Sequence, residues 1–278
     1  MSETLELDVY TSAAFELPNG GMFSPTTSTL ITGPTEALLV DTQYLAADVD
    51  EVISRIEKSG KRLTTIFITH GHSDHYFGLE RLLDRFPHAH AVAIAPVAEH
   101  IASNLEADRA YSRQFFSGKA LDNTVAPHAL ETSTLRVDDI PVHVIEIPQA
   151  DIAPTAILHI PSSSAVIAGD AIYNGVNPFL AVSGPAEWQK WIESVDIISA
   201  LNPRIVVAGH KRPELDDDTR CVAETRSYLE QFVKNVDSAA GSRELVATMQ
   251  SLYPDHANPS ALVLSAITAF KRKKSSNA

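Results

Sequence analysis

Three apolar runs rich in β-branched residues each end abruptly in a residue that binds metal ions. They are Ile66-Phe67-Ile68-Thr69-His70, Val166-Ile167-Ala168-Gly169-Asp170 and Val206-Val207-Ala208-Gly209-His210. Such runs read as buried strands, and the carboxyl ends of strands are where α/β folds collect their ligands. The last two are nearly one motif, Ala-Gly-Asp against Ala-Gly-His. Glycine before the ligand lets the backbone turn sharply and leaves room beside it. A fold that uses all three must bring three strand ends to one place.

The first run continues as His70-Gly71-His72-Ser73-Asp74-His75. His70 and His72 are two apart and project to the same side of an extended chain. Asp74 and His75 follow at the start of a predicted helix. Packed in an ordinary core, each of these side chains would need its own polar partner. Imidazole and carboxylate together suit zinc, and also iron, manganese or cobalt. His88 and His90 repeat the spacing but lead into Ala91-Val92-Ala93 without a carboxylate, and read as a strand entry. His100, His128, His143, His159 and His256 stand alone and are given surface or satisfied core roles. Ser73 reads as a helix-start residue rather than a nucleophile, and Cys221 as packing.

Around these segments the pattern predicts an edge strand over 5–11 and a hairpin of 28–32 and 37–40 about Gly33-Pro34. It predicts a helix over 46–59 stopped by Gly60, with Val49, Val52, Ile53 and Ile56 on one face. Further helices are expected over 76–86 and 186–201, and one or two over 96–116. Strands are expected over 91–94, 135–147, 155–160, 165–168 and 204–208, with loop over 123–133. A helical tail follows: 217–236, 242–252 and 258–270. This order lacks the strict alternation of a doubly wound sheet. It suits two packed sheets with helices outside, in one unit over 1–278 with a helical insertion at about 96–118 and a helical tail at about 217–270. The tail packs on the outer sheet or forms a dimer surface.

Composition narrows the partners. The 278 residues carry a net charge of −13 with only 22 Lys+Arg, which argues against nucleic acid and anionic membranes. A single cysteine rules out an internal disulfide and a Cys-rich zinc site. The acidic start Met1-Ser2-Glu3-Thr4 has no apolar leader core, and no run is long enough to span a bilayer, so a cytoplasmic location is expected.

The segment His70–His75 resembles the HxHxDH motif of the metallo-β-lactamase superfamily, and the likeness extends from Thr27 to about Arg212. The resemblance implies an αββα sandwich of two mixed sheets with a two-metal site between them. It implies that Asp41 is the structural acid ending an early strand and that Asp170 bridges both metals. His210 would then join Asp74 and His75 on the second metal, with His70 and His72 on the first. The family usually supplies a third ligand to the first metal from a Gly-His-Thr segment. Here that stretch is Ile147-Pro148-Gln149-Ala150-Asp151-Ile152, without histidine. Asp151 is the chosen replacement, ahead of Gln149, because carboxylate oxygen ligates zinc and an amide does so weakly. Two divalent cations are implied, zinc first, with the extra carboxylate moving the preference toward manganese or iron.

Such a pair of ions normally shares a water and lowers its pKa toward neutrality, and the bridging hydroxide attacks an electrophilic centre. Asp74 is placed to shuttle the proton. Tyr173, three positions after Asp170, resembles the tyrosine that contacts the substrate carbonyl in lactonases of the superfamily. Met22, Phe23, Tyr111 and Phe115 are expected to line an aromatic substrate pocket. The reading is a metal-dependent hydrolase that opens a small lactone or lactam, bicyclic aromatic lactams such as benzoxazolinones included. The alternatives are thioester or phosphodiester hydrolysis, or a metal-binding protein without turnover.

Overall fold

A computed structural model describes residues 4–17, 20–116 and 118–276; of Pro18-Asn19-Gly20-Gly21, which the sequence marks as a turn or loop, Pro18 and Asn19 lie outside the described residues. In chain order β1 (Glu6–Thr11) is followed by a ribbon of β2 (Phe15–Glu16) and β3 (Met22–Phe23). Then come β4 (Thr27–Thr32), β5 (Glu36–Val40), α1 (Ala46–Ser59), β6 (Arg62–Phe67), α2 (Ser73–Tyr76), α3 (Leu79–Arg85), β7 (His90–Ile94), α4 (Ala95–Phe115) and β8 (His128–Leu130). The second half runs β9 (Thr134–Val137), β10 (Ile140–Ile147), β11 (Thr155–Ile160), β12 (Ala165–Ile167), β13 (Tyr173–Asn174), α5 (Pro185–Ala200), β14 (Ile205–Val207) and β15 (His210–Lys211). Helices α6 (Arg220–Ser238), α7 (Ser242–Leu252) and α8 (Pro259–Ser276) close it.

The strands form a six-stranded sheet, β1-β4-β5-β6-β7-β8, and a five-stranded sheet, β14-β12-β11-β10-β9. Between them lies an apolar seam in which Ile31, Leu38, Val40 and Phe67 meet Val142, Ala156, Leu158, Ile167 and Val207. Outside the first sheet, α1, α3 and α4 bury Val49, Val52, Ile56, Leu82, Val97 and Ile101 against it. Outside the second, α5 to α8 bury Trp188, Trp191, Tyr228, Phe232, Met249 and Leu262. Two sheets face to face with helices on both outer sides make the αββα sandwich. Phe67 is fully buried in the seam, so truncating it to alanine should cost ~3–5 kcal/mol.

Several elements differ from the sequence expectation for local reasons. The helix predicted over 76–86 breaks at Phe77-Gly78, because Gly78 packs on the Thr42 carbonyl; a Cβ there would lie 2.4 Å from that oxygen. The single strand expected over 135–147 is a hairpin, turned by Asp138 and Asp139, both at positive φ (47° and 63°). Aspartate tolerates the left-handed region, so the turn was chemically marked. The loop expected over 123–133 contains β8, three residues paired in parallel with β7. Ser73 opens α2, and His72, the residue before it, makes no side-chain cap bond to that helix among the described residues.

Candidate metal centre

The ligand-type residues gather at one end of the sandwich seam. Strand β6 leaves the first sheet at Phe67 and delivers His70 and His72, and the short α2 delivers Asp74 and His75. Strand β12 runs into a 3-10 turn, Gly169–Ala171, that presents Asp170. Strand β14 delivers His210 to β15, which pairs in parallel with β13 so that Tyr173 and His210 are neighbours. An isolated bridge between His70 and Thr155 joins the first sheet's loop to the start of β11, beside Asp151. Two glycines make the convergence possible. Gly169 has φ +49°, open to glycine at little cost. At Gly209 a Cβ would lie 2.1 Å from Asp170 Oδ1, so only hydrogen fits.

Two groups of ligand atoms result. His70, His72, Asp151 and Asp170 form one; Asp74, His75 and His210 form the other, and within each the atoms lie within 4.8 Å of one another. Asp170 faces both: Oδ1 is 3.2 Å from His75 Nε2, and Oδ2 is 3.1 Å from His210 Nε2 and 3.8 Å from His70 Nε2. Asp151 Oδ2 lies 2.6 Å from His72 Nδ1, and Asp151 Oδ1 lies 3.8 Å from His70 Nε2. Asp74 Oδ2 is 3.4 Å from His75 Nε2 and 3.5 Å from His210 Nε2. All are buried except His72, whose side chain is 28% exposed and marks the open side.

A second layer aims these groups. Asp41 Oδ2 meets His75 Nδ1 at 2.8 Å and accepts from the Thr69 hydroxyl, while Asp41 Oδ1 accepts from the Thr69 backbone N–H. Thr69 Oγ1 in turn lies 3.0 Å from His70 Nδ1. The Pro25 carbonyl meets His210 Nδ1 at 2.8 Å, and Thr26 Oγ1 donates to Asp74 Oδ2. With Nδ1 occupied in His70, His75 and His210, it is Nε2 of each ring that faces the centre. Outer partners of this kind fix ring orientation in metal sites.

The donor set fits divalent cations. Among the described residues, His70 Nε2, His75 Nε2 and Asp170 Oδ1 are buried and take no hydrogen bond, an arrangement costly for groups with nothing to bind. Burial, reinforced by His75, holds the His70 imidazole well below its ordinary pKa, leaving it neutral. Burial pulls His72 the same way, but Asp151 outweighs it and raises the ring to about 9. Burial also opposes charge on Asp170, yet His210, His75 and His70 hold its carboxyl well below the usual range. Carboxylates that would keep a proton on an imidazole will equally favour a cation in the proton's place.

Residues 21–210 match the family model of the metallo-beta-lactamase superfamily. The chain belongs to that superfamily. No curated protein matches the sequence. Among solved structures it is similar to a metallo-beta-lactamase family protein from Thermus thermophilus, at 19% identity and TM-score 0.63, covering 96% of this chain and 94% of that one. It is similar to the metallo-beta-lactamase DIM-1 exposed to ceftazidime, at 18% identity and TM-score 0.62, covering 82% and 97%. The metallo-beta-lactamase FIM-1 from Pseudomonas aeruginosa in its mono-zinc form gives 15% identity and TM-score 0.61, covering 82% and 92%. At these identities the likeness is one of fold.

Asp151, the expected replacement for a histidine of the family pattern, lies in the group formed with His70, His72 and Asp170. Gln149 is buried, and its backbone N–H donates to Ser194 Oγ. Tyr173 departs from its expected use. Its phenol is buried and donates to Asp170 Oδ2 at 2.9 Å, so it engages a carboxylate of the centre rather than an open pocket. Burial, with Asp170 next in weight, pushes its pKa well above the ordinary phenol range and keeps it a donor.

The expected aromatic lining is split. Phe23 stacks on Phe15 (centroids 4.9 Å apart) and packs edge-on to Phe116, in a cluster with Tyr44. Met22 is half-buried, and its backbone N–H donates to Ser260 Oγ. Tyr111 is 50% exposed, at the edge of Phe116. The Phe115 side chain lies outside the described residues. Two residues at the site escaped sequence reasoning. Phe179 lies edge-on to His72, ring centroids 6.2 Å apart, on the loop after β13. His100 of α4 sits against Gly71; a Cβ at that glycine would be 2.4 Å from the imidazole Cδ2. Neither carries a local pattern that separates it from packing.

Both rims of the site are tied to α8. Ser260 takes Met22 on one rim, next to an Asn258–Ser24 side-chain bond. On the other rim Ser265 Oγ accepts from Leu180 N–H, and Arg272 donates to the Ala181 and Ser183 carbonyls.

Proposed function

We propose that the protein is a dinuclear metal-dependent hydrolase that opens small cyclic esters or amides, lactones or lactams. The observation that carries this reading is Asp170, set between two groups of ligand atoms and facing both. His70, His72, Asp151 and Asp170 would hold one ion; Asp74, His75, His210 and the same Asp170 would hold the other. When bound, the pair would supply an acidified water and a Lewis acid for the substrate oxygen. Zinc is the first candidate, with manganese or iron favoured by the Asp151 carboxylate.

The chain's own groups do the rest. Asp41, Thr69 and Pro25 keep the imidazoles aimed, so the centre needs little reorganisation as charge develops. Asp74 borders the centre and can take the proton of the attacking water and return it to the leaving oxygen or nitrogen. Phe179 and the half-exposed His72 stand on the open side, where a flat ring would be covered by an aromatic edge. The net charge of −13 suits a neutral substrate better than a polyanion. The test is metal analysis of purified protein together with acid release from a lactone and lactam panel at neutral pH. Turnover that chelation abolishes and metal restores is expected. Full metal loading with no release from any ring substrate would overturn the reading.

A further inference from the structure

Two histidines that stand alone in the sequence meet on the second sheet. Strands β10 and β11 run antiparallel with His143 opposite His159. Alternation along each strand turns both rings away from the seam. Their chain neighbours Val142, Val144, Leu158 and Ile160 face the seam, whereas Ile145 and Ile157, on the same face as the histidines, pack with the outer cluster. The ring centroids lie 6.2 Å apart with 40° between the planes, and both residues are half-buried. The pair stands clear of the metal centre. Thr155, which bridges to His70, precedes His159 on β11, about 13 Å away along the strand.

Neighbouring strands settle which edge of His143 faces its partner. Thr134 lies opposite His143 on the other side, in β9, and its Oγ1 is 3.4 Å from His143 Nδ1. An imidazole carries Nδ1 on one edge and Nε2 on the other, so the Nε2 edge is turned toward β11 and His159. A Thr134 hydroxyl accepting from Nδ1–H selects the tautomer whose Nε2 keeps a free lone pair. His159 has no hydrogen bond or ion pair among the described residues. Burial, with His143 next in weight, lowers its pKa below the ordinary histidine value and keeps the ring neutral, the form that binds metal. Two imidazoles bound to one ion at tetrahedral geometry have ring centres about 5 Å apart. A rotamer adjustment of roughly 1 Å in these half-buried rings would therefore seat a shared ion.

We propose that His143 and His159 chelate one divalent transition ion across β10 and β11, at a site separate from the candidate metal centre. Paired imidazoles select ions of the nickel, copper and zinc group over magnesium or calcium, and two protein donors leave the other positions to water. The test is equilibrium dialysis of the full chain against zinc, with bound metal read by elemental analysis. Wild type should retain one equivalent more than His143→Gln, and likewise one more than His159→Gln, with circular dichroism unchanged in both. The double variant should lose no more than either single one. Each comparison is a difference between two proteins, so it holds whatever the metal centre itself takes up. Thr134→Val should weaken binding of the extra ion by about tenfold, through loss of the partner that orients His143. Equal zinc in wild type and both single variants overturns the proposal. A double variant that loses two equivalents would reveal two independent sites and overturns chelation.

Discussion

The residue that sets this centre apart is Asp151. Its carboxylate sits against His72 and His70 in a buried pocket, and it adds negative charge where the resemblance leads one to expect a neutral imidazole. A harder, more anionic first site should accept manganese or iron more readily. Protein expressed in mixed-metal medium should carry these ions beside zinc, and Asp151→His should shift the bound ratio toward zinc; elemental analysis reads both. Tyr173 works one layer out. Because its hydroxyl binds Asp170 Oδ2, Tyr173→Phe removes a partner of the central carboxylate and leaves the ring packed. Loss of such a partner costs about 10–100-fold in metal affinity or activity. Chelator competition should register the fall in affinity, and an unchanged chelation midpoint with unchanged turnover would remove the phenol from the site's design.

At the scale of elements, the centre depends on turns more than on strands. Strands β6, β12 and β14 end within one region, but their ligands meet only because Gly169 and Gly209 let two loops touch. In Gly209→Ala the new methyl would collide with Asp170 and with the Gly169–Asp170 backbone, neither of which is a flexible tip. The expected outcome is loss of bound metal together with a lower melting temperature, a shift of roughly 2–4 °C for each kcal/mol lost in a chain of this size. The motif-bearing strands and α1 were readable in the sequence because their periodicity and end signals are local. The break at Gly78 was not, since its cause is the Thr42 carbonyl, remote in sequence. Strand β8 was missed because a three-residue edge strand has too few side chains to set a pattern.

For the whole molecule, the helical tail is part of the working structure. Helices α5 to α8 share one apolar cluster with the second sheet, and α8 holds the loops on both sides of the metal centre. Inside this layer Glu224 meets His256 Nε2 at 2.9 Å, and that bond, with the charges of His256 and Arg220, depresses the Glu224 carboxyl below its ordinary value. A carboxyl depressed on folding adds stability above its unfolded pKa, about 4.3, and loses it as pH falls through the folded value. Melting temperature should therefore drop on acidification from pH 6 to pH 3, and Glu224→Gln should lower it at pH 6 while flattening that acid limb. Parallel curves for the two proteins would show that the pair contributes nothing to the pH dependence. Among the described residues no helix is long and apolar enough to cross a membrane.

His70, His72, Asp74, His75, Asp170 and His210 were visible in the sequence because metal chemistry demands particular donors at strand ends, and both demand and position are local properties. The superfamily and its layered architecture follow from the same pattern. What Tyr173 does with its hydroxyl, which aromatics face the site and which close a core cluster, and the presence of Phe179 and His100 at its edge were decided only by tertiary structure. Each depends on the distance between segments far apart in the chain. A side chain's type states what it can bind, and only the packed fold states what lies within reach.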